Sequence, residues 1–222
     1  IAGIEQAYTA LGKIEDYLTF IKGVPNFSLS KLEQDSLIYN TGFIKFSERD
    51  FVSSKSIFKK YINDFPQGVF LSDAIYYSAI SSLELEDTSS AMLYYSLILE
   101  NKFVKYQEKA LVFLARKYYS SENFVLSNKY YLELQNIISS NSLKREVVIR
   151  LMYGNEDIDV KLASKYVEEV LQLEKKDDWL STKANTIIAR DAFMNGNFIK
   201  SNNLYKQVAT FSKYDDGAEA MY

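Results

Sequence analysis

Apolar and small side chains recur along this chain in a fixed order: an aromatic or branched residue, a small residue three positions later, and a bulky residue four beyond that. The triads are Phe51, Ser54, Phe58; Thr88, Ala91, Tyr95; Phe124, Ser127, Tyr131; Val160, Ala163, Val167; and Phe198, Ser201, Tyr205. Their small members lie 37, 36, 36 and 38 residues apart, and a weaker copy, Ile14, Tyr17, Ile21, precedes the first by 37. Steps of three and four put a triad on one helical face, so each marks the buried stripe of a second helix. In the first helix upstream, Gly42, Ala79, Ala115 and Ala189 each stand twelve residues before the triad's small member, where two backbones could cross closely. The unit is a helical hairpin, which buries its apolar face only against neighbouring copies.

The pattern predicts an all-α protein: a solenoid of about six antiparallel helix pairs at approximately 1–25, 31–66, 70–101, 105–138, 143–174 and 179–212, with a further repeat starting at 215–222. One unit departs from the rest. Leu151 occupies the small position of the fourth first helix and Gly154 follows one turn later, so the crossing there is expected to shift. The ends are abrupt: Ile1 enters directly into a helical pattern and 215–222 opens another helix. We read the chain as a piece of a longer protein, with end faces exposed and open to self-association.

Gly196-Asn197-Phe198 followed by Ser201 and Tyr205, and Arg49-Asp50-Phe51 followed by Ser54, Phe58 and Pro66, resemble the tetratricopeptide repeat, whose period is about 34 residues. The resemblance implies a right-handed superhelical array without a catalytic centre or cofactor, whose first helices line a concave binding groove. Phe65-Pro66-Gln67-Gly68 with Asp73-Ala74-Ile75-Tyr76-Tyr77, and the terminal Gly217 to Tyr222, look like tetratricopeptide proteins of the Gram-negative envelope, such as the Tol-Pal-associated coordinator. Long repeat proteins of Bacteroidetes look similar along more of the chain. A periplasmic or outer-membrane-associated setting follows from that resemblance, with the cytoplasm left open.

Composition removes several chemistries. With no Cys and no His there are no disulfides, thiol nucleophiles or histidine bases, and most zinc sites are excluded. Net charge is -3 with Lys and Arg dispersed, which argues against nucleic acid. No apolar run approaches a membrane span, so this segment is not expected to insert directly. Glu156, Asp157 and Asp159 cluster without an EF-hand's glycine or final Glu, and read as an exposed turn. The charge run 174–178 reads as a solvated linker, and Trp179 as a packing anchor against the preceding second helix in preference to a ligand platform.

Tyr occurs 18 times, often in doublets such as Tyr76-Tyr77 and Tyr94-Tyr95, in which one ring points about 100° from the other. Some aromatics must therefore face solvent or a groove. Carrying the family's groove positions over unit by unit gives Tyr39, Phe43 and Phe46; Tyr76, Ile80 and Leu83; Val112, Arg116 and Tyr119; Val148 and Met152; and Arg190 and Phe193. Residues of these types are enriched at protein interfaces. The expected function is a non-catalytic scaffold for a protein or peptide partner, with Arg116 and Arg190 available to partner carboxylates. Two other classes stay open: a glycan-binding outer-membrane lipoprotein component, and a regulatory module of a cytoplasmic signalling protein.

Overall fold

A computed structural model describes residues 2–173 and 178–210, together with Asp216 and Ala220. Among the described residues there are twelve helices and no strand: α1 (Ala2–Ala10), α2 (Ile14–Lys22), α3 (Lys31–Ser47), α4 (Phe51–Asp64), α5 (Leu71–Glu84), α6 (Thr88–Glu100), α7 (Val104–Ser120), α8 (Phe124–Gln135), α9 (Asn141–Asn155), α10 (Val160–Leu173), α11 (Asp178–Met194) and α12 (Phe198–Ala209). The chain forms two compact units, Ile1–Phe113 and Leu114–Tyr222, which divide within α7. In the first unit each of α1, α3 and α5 packs on the helix that follows it, α4 packs on α5, and α3 touches both α1 and α5. In the second, α8 to α12 pack successively. Consecutive antiparallel packing of this kind is consistent with an α-solenoid.

The repeat is written most regularly in the turn inside each hairpin. Asp50, Asp87, Asn123, Asp159 and Asn197 precede their triads, and each side-chain oxygen accepts the backbone N–H three residues on, at 2.9–3.2 Å. These are helix N-caps. Before four of them the backbone is left-handed, at Arg49 (φ 64°), Glu86 (58°), Glu122 (58°) and Gly196 (73°). That conformation lets the cap's own N–H reach back to the first helix: Asp50 to the Lys45 carbonyl, Asp87 to Ser82, Asn123 to Tyr118 and Asn197 to Ala192. This is the Schellman ending. The fourth turn lacks it, because Ile158 is branched at Cβ and a left-handed backbone is costly there. Instead Ile158 and Asp159 both donate to the Asn155 carbonyl.

At three of these turns a non-glycine residue holds a backbone that glycine adopts without penalty. Left-handed strain of about 1–2 kcal/mol outweighs the extra unfolded-state entropy of glycine, about 0.5–1 kcal/mol. Glu122→Gly is therefore expected to raise stability by about 0.5–1 kcal/mol. A thermal melt beside wild type checks this, and a loss would mean that the Glu122 side chain holds something the backbone does not.

The small triad members Ser54, Ala91, Ser127, Ala163 and Ser201 are all buried, as are Phe58, Tyr95, Tyr131 and Val167. The fifth triad differs, with Phe198 exposed and edge-on to Phe193 at 5.4 Å. Ile14, Tyr17 and Ile21 are core residues packed with Ile38 and Phe58, so the first helix pair does not leave that stripe open as expected. What it exposes is Ile4, Leu11 and Phe20. Apart from Asp216 and Ala220, the further repeat at 215–222 lies outside the described residues, as do residues 174–177 of the charge run.

Candidate functional site

Two faces carry the predicted positions. In the first unit, α3 and α5 present Tyr39, Phe43, Phe46, Tyr76, Ile80 and Leu83, all half-buried except Phe43, which is 38% exposed. Tyr39 stacks on Phe70 at 4.3 Å, and Phe43 lies 6.2 Å from Tyr39 and 6.5 Å from Phe46. What joins α3 to α5 is Tyr77, 5.3 Å from Phe43 and 4.7 Å from Phe46, a residue that sequence reasoning passed over for its neighbour Tyr76. Tyr76 turns the other way and stacks on Tyr106 at 4.0 Å, with the Lys109 ammonium 4.8 Å over its ring. Val112, half-buried on α7, ends this set. In the Tyr94-Tyr95 doublet both rings are buried, so one ring of each pair does not always face outward.

In the second unit, Arg116 and Tyr119 line an open groove of about 700 Å³ with Glu146, Ile149, Arg150, Tyr153 and Trp179. Arg116 donates through Nε and Nη2 to the two Glu146 oxygens at 2.8 and 2.5 Å, and the Tyr131 hydroxyl adds a bond of 3.1 Å. The Arg116 hydrogen bond holds the Glu146 carboxyl below its ordinary range against the opposing effect of burial. Arg116 is thus already committed to an internal carboxylate. The Arg150 guanidinium sits 4.2 Å over the Tyr119 ring. Trp179 stacks on Tyr153 of the preceding first helix at 5.6 Å and stays 47% exposed, so it is a half-open platform and not an anchor buried against a second helix.

Val148 and Met152 are corrected: both are buried, at 3% and 0% exposure, and offer nothing to a partner. The buried stripe of α7 is Ala110, Leu111, Leu114 and Ala115, and that of α9 is Val147, Val148, Leu151 and Met152, an offset of 37 residues, whereas Ser127 and Ala163 lie 36 apart. Without the left-handed turn the α9–α10 connection is one residue shorter, measured from the core stripe, and the count taken back from Ala163 slips by one. The positions matching Val112 and Arg116 are therefore Ile149 and Tyr153, and both line the groove. The signal was the missing turn residue at Ile158. Arg150 had no signal of its own beyond lying beside that stripe.

Arg190 and Phe193 fall elsewhere, in a groove of about 360 Å³ with Glu156, Ile158 and Tyr205. Arg190 is tied to Glu156 at 2.9 Å and to Asp157 at 3.6 Å. Glu156 also meets Lys183 at 2.6 Å with its side chain 9% exposed, so it is not part of a solvated turn, whereas Asp157 is exposed and Asp159 caps α10. Among the described residues no group of three or more side chains is placed to hold a metal ion, and no helix is long and apolar enough to cross a membrane. No family model matches this chain and no curated protein matches it, so its reading rests on the residues themselves.

Proposed function

We propose that this chain is a non-catalytic scaffold of the tetratricopeptide type that binds a protein or peptide segment along the face made by the first helices of its hairpins. The observation that carries the reading is the aromatic cluster on α3 and α5, in which Phe43 remains 38% exposed among Tyr39, Phe46 and Tyr77. Rings already ordered by their neighbours lose little freedom on binding, and they exclude water from a partner's apolar side chain. Right-handed superhelical curvature and a setting in the bacterial envelope belong to the same proposal and rest on the repeat's resemblance alone.

Tyr39 and Tyr76 do not separate binding from folding, because each is stacked on a neighbour inside the unit. Phe43 does. Phe43→Ala is expected to weaken capture of a partner by about 1 kcal/mol or more while lowering the melting temperature little. Wild type and variant are immobilised, exposed to lysate of the source organism, and compared by quantitative mass spectrometry beside a thermal melt. Unchanged capture with a sharply lowered melting temperature would remove this face as the binding site.

A further inference from the structure

We infer that the groove on the second unit binds an acidic peptide segment, with a carboxylate side chain against Arg150 and an adjacent aromatic or aliphatic side chain on Trp179. The inference rests on the scaffold reading and adds the chemistry of the partner. Its basis is charge complementarity. In a chain of net charge -3, this groove sets Arg116 and Arg150 around Glu146, the one carboxylate among its described lining residues. That carboxylate is consumed, since Arg116 holds both of its oxygens and Tyr131 donates to one of them.

Arg150 is in a different state. Its guanidinium carbon stands 4.2 Å over the Tyr119 ring, and although its charge helps to lower the Glu146 carboxyl pKa, the Glu146 ion pair is made with Arg116. A guanidinium that rests on a ring by one face keeps its N–H edge for a carboxylate, which it takes through two parallel hydrogen bonds. Trp179 supplies the apolar half of the site. Its indole is held by Tyr153 on one side and is 47% exposed. An ordered, half-open Trp beside an Arg is the residue pairing in which interface binding energy concentrates. A neutral sugar fits poorly, because its hydroxyls need acceptors and the one carboxylate among the groove's described lining residues is held by Arg116. A nucleic acid strand would need a run of cations, against the overall negative charge.

Trp179 is the only tryptophan, so its fluorescence reports from this groove alone. The experiment titrates the full chain with a random copolymer of glutamate and tyrosine, exciting at the red edge where tyrosine does not absorb. Polyglutamate, a lysine–tyrosine copolymer and a polyuronate are run in parallel. The glutamate–tyrosine copolymer is expected to shift the emission and to bind more tightly than polyglutamate, and the lysine–tyrosine copolymer is expected not to bind. Arg150→Gln should weaken binding about tenfold, the equivalent of one charge-assisted pair. Arg150→Lys should fall between, keeping the charge without the two-pronged geometry. Circular dichroism verifies that each variant is folded, and calorimetry on Trp179→Leu, expected to bind more weakly, tests the platform itself.

Binding unaffected by Arg150→Gln, or equal binding of the lysine and glutamate copolymers, overturns the inference. A polyuronate that binds as tightly as the glutamate–tyrosine copolymer overturns it in favour of an anionic glycan. No copolymer binding, while wild type still captures a partner that Phe43→Ala loses, refutes this inference and leaves the scaffold reading standing.

Discussion

Leu151→Ala is expected to lower stability by about 2–5 kcal/mol, the cost of emptying a fully buried leucine site. The regular register alone would suggest the opposite, because Leu151 stands where Gly42, Ala79, Ala115 and Ala189 stand in other units, but Gly154 one turn later already points to a shifted crossing. In the fold, Leu151 corresponds to Leu114, and both are 0% exposed. The close approach is made at Gly154, where an added Cβ would collide with the Asn128 amide. That amide is buried and donates to the Gly154 carbonyl at 2.8 Å and to Asn155 Oδ1 at 2.9 Å. Gly154→Ala should therefore also destabilise, by about 1–3 kcal/mol of overpacking, whereas Gly3→Ala, with nothing within 4 Å, should not. Thermal and denaturant melts of the three variants decide the point. A neutral or stabilising Leu151→Ala would mean that α9 sits one residue from where it is placed here.

Tyr61→Phe is expected to lower stability by about 2–4 kcal/mol while leaving the packing almost unchanged. Tyr61 is fully buried, and its ring stacks on Phe65 at 5.3 Å, a contact that phenylalanine keeps. The hydroxyl donates to Asp35 Oδ1 at 2.5 Å and accepts the Phe70 N–H at 3.0 Å, and the Val69 N–H donates to the other Asp35 oxygen at 3.1 Å. Without it, a carboxylate on a residue 5% exposed loses a donor and a backbone N–H loses its acceptor. The turn from α4 to α5 is thus held by one buried carboxylate and one buried hydroxyl. Adding Asp35→Ala to Tyr61→Phe should cost less than the sum of the single losses, because the two groups share one network. Burial and the Asp35 bond push the hydroxyl pKa above its ordinary value of 10. This contribution is therefore complete below pH 10 and is lost as pH rises further, when the unfolded chain sheds a proton that the folded one retains. The gap between wild type and variant should narrow in alkali. A constant gap would show that the hydroxyl is not the group responsible.

The periodic triads determined the helical class, the hairpin order and the buried small residues, because each depends on side chains three and four positions apart on one helix. The sequence alone marks Asp50 and Asn197 only as turn residues of the repeat, and the structure shows them as caps acting on backbone groups three residues away. Tertiary structure alone decided which neighbour each ring of a doublet meets. Tyr76 and Tyr77 differ by one helical step, yet one stacks on Tyr106 and the other joins Phe43 to Phe46. It also decided the state of the cations. Arg116, Arg150 and Arg190 look alike in sequence, and only packing between helices gives the first Glu146, the second the face of Tyr119 and the third Glu156. A periodicity records what a residue does within its own helix. It carries no information about a partner some thirty residues away, whose position depends on the path of the turn between, and at Ile158 that path changed by one residue.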